Sequence, residues 1–262
     1  MANNELLKLT AHQVKERNFK KAILAVGSCE AHGPHLAEGT DTLVSYMLAC
    51  KVADRFDDML VLPPITVGYS GHYDTFPFTM TMSYDTITAV IYDDLESCMR
   101  NGMNKVYIVN GHDGNIAPIE IASRKIKEKY PEARIVSMDR WWVAAGQLLP
   151  EGTFEVMNGE GHAGEGESSI AYYLYPQWNE PELAKGYVPD KLPKFSEVKW
   201  DFSELTNSAA TGGPTKATVE EGPHDDRGSG GLHGARDQGA GCHQLGLSHH
   251  GHLICMGCRE RT

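Results

Sequence analysis

Apolar residues along the chain fall into two alternating kinds of segment. The first kind is a short, nearly unbroken run: 22–26 closed by Gly27, 59–62 stopped by Pro63 and Pro64, 105–109, and 133–137. Runs of this length, rich in Val and Ile, predict strands buried on both faces. The second kind has apolar residues at three- and four-residue spacing. Leu43, Val44, Met47, Leu48, Val52 and Phe56 form one stripe, predicting a helix over 41–56 with Thr40 or Asp41 as its N-cap. Ile87, Val90, Ile91, Leu95 and Met99 form another over 86–101, ended by Gly102. Further helices are predicted over 115–129 and 166–174. Three strand–helix units in succession predict an α/β domain built on a parallel sheet with helices on both faces. From Tyr175 to Thr215 the sequence is irregular and Pro-rich, and no internal repeat occurs.

Composition adds a boundary that periodicity does not show. Every Lys, Phe, Trp and Tyr lies within 1–222, whereas 223–262 holds six of the twelve His and three of the six Cys. The expected organisation is therefore one domain over 1–222 followed by an atypical Gly/His/Cys-rich tail over 223–262. Cys255 and Cys258, separated by two residues and close to His249, His250 and His252, admit a structural zinc site; a disordered tail is the plainer reading. The net charge of −11 argues against nucleic acid or an anionic membrane as partner. No stretch of 18 apolar residues occurs and the first residues are polar, so a cytoplasmic protein is expected. Cys29, Cys50 and Cys98 fit reduced thiols of such a protein.

Parallel α/β sheets bind ligands in the loops that follow their strands. Five of the six body histidines lie in or beside such loops: His32, His35, His72, His112 and His162. Glu30 and His32 are two apart in an extended segment, so their side chains project to one side. Asp41 follows nine residues later, and His112 arrives from the end of a neighbouring strand. Imidazole and carboxylate donors together suit Zn²⁺, Mn²⁺ or Fe²⁺. Taken singly, each of these residues also fits a loop histidine or a helix cap. Ser28 and Cys29 at the strand end lack the Gly-x-Ser-x-Gly turn of a nucleophile elbow, and the loop lacks the Gly-Lys pair of a phosphate cradle.

Three blocks carry a family resemblance. They are Gly27-Ser-Cys-Glu30-Ala-His32-Gly-Pro-His35 with Gly39-Thr-Asp41, then Asn110-Gly-His112-Asp-Gly-Asn115, then His162-Ala-Gly-Glu165-Gly-Glu167-Ser-Ser169. Together with Gly71-His72-Tyr-Asp-Thr-Phe76-Pro77, they resemble the creatininase (creatinine amidohydrolase) family over roughly residues 20–221. The resemblance implies a three-layer αβα sandwich with a mostly parallel central sheet, usually assembled as a homo-oligomer, a hexamer. It also implies two divalent metal ions per subunit, Zn, Mn or Fe, and hydrolysis of C–N bonds, often in rings, by a hydroxide shared between the ions. Carried over, Asp41 bridges both metals, Glu30 and His112 complete one site, and His32 serves the other. Creatininase has a ligating Glu at the position of Gly114, so Glu165 is assigned the missing ligand here.

His162 matches the family's catalytic His and is assigned as general acid/base. Glu167 is expected to orient it or bind substrate, unless it is a solvated first-turn carboxylate. Trp141 and Trp142 fall where the family covers its substrate with a Trp, core filling being the alternative. His72 is expected at the pocket or an interface. The expected reaction is hydrolysis of a small cyclic amide; alternatives are a formamide, a lactone or a cyclic ketone on the same centre, or an inactive assembly homologue. Family members continue from a segment like Pro214–Thr218 into an amphipathic helix, which Pro223 would interrupt here. A change of reading frame after Gly222 would account for the tail.

Overall fold

The structure, a computed structural model, describes residues 4–189 and 198–219. The expected domain boundary at 222/223 and every reading of the tail lie outside the described residues. In chain order the elements are α1 (Ala11–Arg17), β1 (Lys21–Val26), α2 (Thr40–Ala53), β2 (Met59–Val61), α3 (Tyr84–Arg100), β3 (Lys105–Asn110), α4 (Ile116–Lys129), β4 (Arg134–Met138), α5 (Trp141–Leu148) and α6 (Glu165–Leu174). Four strands form one sheet in the order β2-β1-β3-β4, and all three pairings are parallel.

Period-two burial along β1 shows why the sheet is covered twice. Ala22, Leu24 and Val26 pack with Ile87, Ile91 and Leu95 of α3 and with Ile119, Ala122 and Ile126 of α4. Ile23 and Ala25, on the opposite face, pack with Ala49, Cys50 and Ala53 of α2. Each β1 side chain is thus committed to a helical layer, which is why the run reads as continuous rather than alternating. The expected αβα sandwich is the observed one.

The strand order places a topological switch between β1 and β3. From β1 the chain crosses through α2 on one face to β2; from β3 it crosses through α4 on the other face to β4. The two loops that leave β1 and β3 therefore diverge to opposite faces and open a crevice at the carboxyl ends of the strands. The loop residues 27–39 and 111–115 meet there.

Element ends differ from the periodicity by one to three residues. The predicted cap of α2 is replaced by Gly39, with no side-chain cap bond. Thr40 instead donates to the Ala37 carbonyl, and the Asp41 carboxylate is left for other use. Two helices, α1 and α5, were not expected from the pattern: each is short and has no fully buried residue. No helix among the described residues is long and apolar enough to cross a membrane.

Candidate metal centre

The crevice is built by close backbone approaches. A Cβ at Gly111 would stand 2.3 Å from the Asp41 carbonyl oxygen, so only glycine lets the end of β3 lie against the first turn of α2. This brings His112 beside Asp41. Asn115 then ties three loops: its Oδ1 accepts the Tyr69 N–H (3.1 Å) and its Nδ2 donates to the Gly27 carbonyl (3.0 Å). Asn110 Oδ1 accepts the His112 N–H. Both asparagines order the loop around His112.

Three histidines share one arrangement. His112 Nε2 donates to the Tyr69 carbonyl (2.7 Å), His32 Nδ1 to the Glu30 carbonyl (3.0 Å) and His162 Nε2 to the Ala31 carbonyl (2.8 Å). A carbonyl can only accept, so it fixes the tautomer and leaves the other ring nitrogen with its lone pair. Those other nitrogens turn inward onto carboxylates. His112 Nδ1 lies 3.1 Å from Glu30 Oε1 and 3.2 Å from Asp41 Oδ2. His32 Nε2 lies 3.0 Å from Asp41 Oδ1 and 3.6 Å from Glu167 Oε1. His162 Nδ1 lies 3.9 Å from Glu30 Oε1.

A lone pair facing a carboxylate requires a cation between or upon them. Burial alone would push the imidazoles of His32 and His112 down. The carboxylates of Asp41 and Glu167 beside His32, and of Glu30 and Asp41 beside His112, override this and hold both well above the ordinary histidine value. Burial would also raise the Asp41 carboxyl, but His32 and His112 hold it far below the usual carboxylate range. Glu30 Oε1 is buried and accepts no hydrogen bond of good geometry. An orphaned carboxylate oxygen, inward lone pairs and outward N–H groups tied to carbonyls are what a metal-ligating shell requires. The side chains fit divalent cations. Ligand atoms within 4.8 Å of one another define three groups: Glu30, Asp41 and His112; His32, Asp41 and Glu167; and Glu30, His32 and His162.

Serines steady two of the carboxylates. Ser28 Oγ donates to Asp41 Oδ2 (2.7 Å), and Ser70 Oγ donates to Glu30 Oε2. The sequence raised Ser28 only as a nucleophile candidate at the end of β1, and it did not raise Ser70. Tyr73 and Phe202 were also missed. Tyr73 packs against His162, tilted by 34° with ring centroids 4.6 Å apart, and Phe202 lies 4.5 Å from Tyr73 and 5.1 Å from His162. Burial, then the carboxylates of Glu30, Asp41, Glu167 and Asp113, hold the Tyr73 phenol well above its usual value.

Glu165 lies apart from the other expected ligands. Glu165 is fully buried, but its carboxylate accepts the backbone N–H groups of Glu155 (2.9 Å) and Val156 (2.7 Å) and joins none of the three groups. Glu167 stands by His32 instead, its second oxygen accepting the Ala163 N–H. Position 114 has no room for a side chain: a Cβ there would come within 2.2 Å of the Tyr69 carbonyl oxygen and 2.5 Å of His112 Nε2.

The remaining expected residues sort themselves by contact. His72 stacks parallel to His112 at 5.7 Å, beside the group, and burial first, then His112, lowers it to about 4. Trp141 donates its indole N–H to the Asn110 carbonyl and packs against core residues of β1 and α2, with Trp142 edge-on to it at 5.6 Å. The Trp141 indole therefore braces the end of β3, and neither indole joins the rings that gather around His162. His35 bonds Ser168 under α6.

The sequence profile of the creatininase family, described as creatinine amidohydrolase, matches residues 7–224. The chain belongs to the creatininase family. Within it, the chain is 26% identical over 210 residues to the mycofactocin precursor peptide peptidase of Mycolicibacterium smegmatis, covering 76% of this chain and 77% of that protein. It is likewise 26% identical over 215 residues to creatinine amidohydrolase of Pseudomonas putida, covering 76% and 82%. A solved manganese creatininase superposes with a TM-score of 0.70 at 24% identity, over 84% of this chain and 91% of that one. Membership of the creatininase family makes the chain a hydrolase.

Proposed function

We propose that this hydrolase works with two divalent ions and cleaves the C–N bond of a small cyclic amide. The observation that carries the reading is Asp41: its two carboxylate oxygens face separate donor groups, with His32 at Oδ1 and His112 at Oδ2. Glu30, Asp41 and His112 would hold one ion, and His32, Asp41 and Glu167 the other. When bound, such a pair makes hydroxide available at neutral pH and polarises the substrate carbonyl. The rest is done by the chain. Ser28 and Ser70 keep Asp41 and Glu30 oriented by each occupying one carboxylate oxygen. His162 Nδ1 faces the centre while Nε2 is committed to Ala31, so Nδ1 is the atom that takes a proton and later gives one to the leaving nitrogen. Burial, then His32, lowers the His162 value and leaves it neutral, ready to accept that proton. Tyr73, Phe202 and His72 enclose the centre with aromatic rings, which favours a small, flat substrate.

A second reading rests on the Mycolicibacterium smegmatis relative, whose name assigns it a peptide: the same centre would then cleave a peptide amide. The test combines metal analysis with a hydrolysis screen of lactams, hydantoins, formamides, lactones, cyclic ketones and short peptides, with Zn²⁺, Mn²⁺ and Fe²⁺ supplied separately. Two ions per chain and turnover of a cyclic amide are expected. Fewer than one ion per chain after reconstitution would sink the reading and leave an inactive assembly homologue. Assembly into a homo-oligomer belongs to the same proposal and is checked by sedimentation.

A further inference from the structure

We propose that Tyr73 is a catalytic hydrogen-bond donor, its hydroxyl serving the substrate oxygen that becomes negative when the carbonyl is attacked. This rests on the hydrolase reading above. Tyr73 is only 3% exposed, and among the described residues its hydroxyl has no hydrogen-bond partner. The buried polar atoms without a partner do not include this hydroxyl, so it reaches water-accessible space while the ring is buried. Its ring lies 4.6 Å from His162, 4.4 Å from His72 and 6.4 Å from His112, so the residue sits among the rings of the metal centre rather than in the apolar core.

Its backbone is held for the task. The Tyr73 N–H donates to the Ser70 carbonyl, and the Ser70 hydroxyl donates to Glu30. One residue thus fixes both a candidate ligand and the turn that carries the phenol. Phe202 closes the far side of the ring at 4.5 Å. An ordinary phenol, with a pKa of about 10, keeps its proton at neutral pH and can only donate to an oxyanion. In the step itself, hydroxide oxygen bonds the carbonyl carbon and the C=O π pair moves to oxygen, where the Tyr73 O–H meets it. Collapse reforms C=O and breaks C–N, the nitrogen taking its proton from His162.

The test uses the metal-loaded full chain. Tyr73→Phe keeps every ring contact and removes only the O–H. Expected are an unchanged metal content, a kcat lower by about 10²–10³-fold on the amide that the wild type turns over, and a KM within about twofold. Inorganic phosphate, an oxyanion probe independent of turnover, should bind the variant on the order of tenfold more weakly by calorimetry. Phe202→Leu, which keeps the O–H and loosens only the packing, should move KM more than kcat. Wild-type kcat and phosphate affinity in Tyr73→Phe overturn the assignment. Asp41→Asn separates the two claims: full turnover in that variant ends the hydrolase reading, whereas a dead Asp41→Asn beside an unaffected Tyr73→Phe ends only the role of Tyr73. If the wild type cleaves none of the amides, the phosphate measurement decides alone.

Discussion

Two carboxylates of α6, Glu165 and Glu167, lie two residues apart and should fail in opposite ways. Glu165 is fully buried and accepts two backbone N–H groups at 2.9 and 2.7 Å. Hydrogen bonds to a charged acceptor contribute about 1.5–3 kcal/mol each. Glu165→Gln keeps one acceptor oxygen and turns an NH₂ group against the other N–H, losing one bond and stranding a buried donor. The expected cost is about 2–4 kcal/mol, or roughly 5–12 °C in Tm for a domain of this size. Metal content should not change. Glu167 makes the complementary case. Its Oε1 is 3.6 Å from His32 Nε2, and the residue is partly exposed at 29%. Glu167→Gln removes a negative charge from the group facing His32, and the second ion should bind more weakly by more than the 10–100-fold typical of a supporting residue. The metal-free Tm should stay within about 2 °C, because surface-near changes that bury nothing new usually cost little.

The assay is thermal unfolding of both variants after chelation, paired with plasma mass spectrometry of the reconstituted proteins. A Glu165→Gln protein with unchanged metal-free Tm and one ion lost would refute this assignment and restore Glu165 as the ligand. Two tightly held ions in Glu167→Gln would do the same from the other side.

Three further outcomes are expected. Gly114→Ala places a Cβ against the Tyr69 carbonyl and His112 Nε2, so it should displace His112, cost about 1–3 kcal/mol and lower metal occupancy; a well-folded variant with wild-type occupancy would contradict the crowding. In the metal-free protein His32 and His112 are raised above 6.5, so their stabilising contribution is complete below about pH 6.5 and is lost as pH rises through the folded values; adding Zn²⁺ at pH 7 should displace those protons and acidify a weakly buffered solution, and an unchanged indicator dye would count against it. His162→Ala should retain metal and lower the rate by about 10²–10⁴-fold, with loss of an ion instead assigning His162 to the ligand shell.

The sheet and its crossovers were legible because β1, β2 and β3 are buried on both faces, and such strands write themselves as continuous apolar runs. Helix α1 was not, since its start rests on a Thr10–Gln13 capping box rather than on a buried stripe. Helix α5 begins in Trp141 and Trp142, whose indoles could equally have covered a ligand; only the bond from Trp141 to the Asn110 carbonyl shows which role the first one takes. The convergence of Glu30, His32, Asp41 and His112 was legible because they follow strands that the pattern had already placed at one sheet edge. Tyr73 and Phe202 had no such signal. They come from short turns between regular elements, 71–73 and 202–204, and no periodicity points to the side chain that such a turn presents.

The exchange of Glu165 for Glu167 shows where sequence reasoning loses its hold. In an extended segment, residues two apart share a side, and that rule correctly paired Glu30 with His32. In a helix, two residues advance about 200°, so the same spacing sends side chains to nearly opposite sides. Helix α6 begins at Glu165 itself, with Gly164 as its N-cap, so 165 and 167 already obey the helical rule and only one of them can face His32. Which one does is settled by the loop before the helix. Gly159 and Gly161 take positive φ values of 79° and 116°, a path that glycine follows without strain. That path returns the 153–156 segment over α6, where its N–H groups at 155 and 156 claim Glu165. The backbone's own need for acceptors at a buried turn thus decides which carboxylate remains beside His32, and that need is written in the glycines upstream rather than in the glutamates.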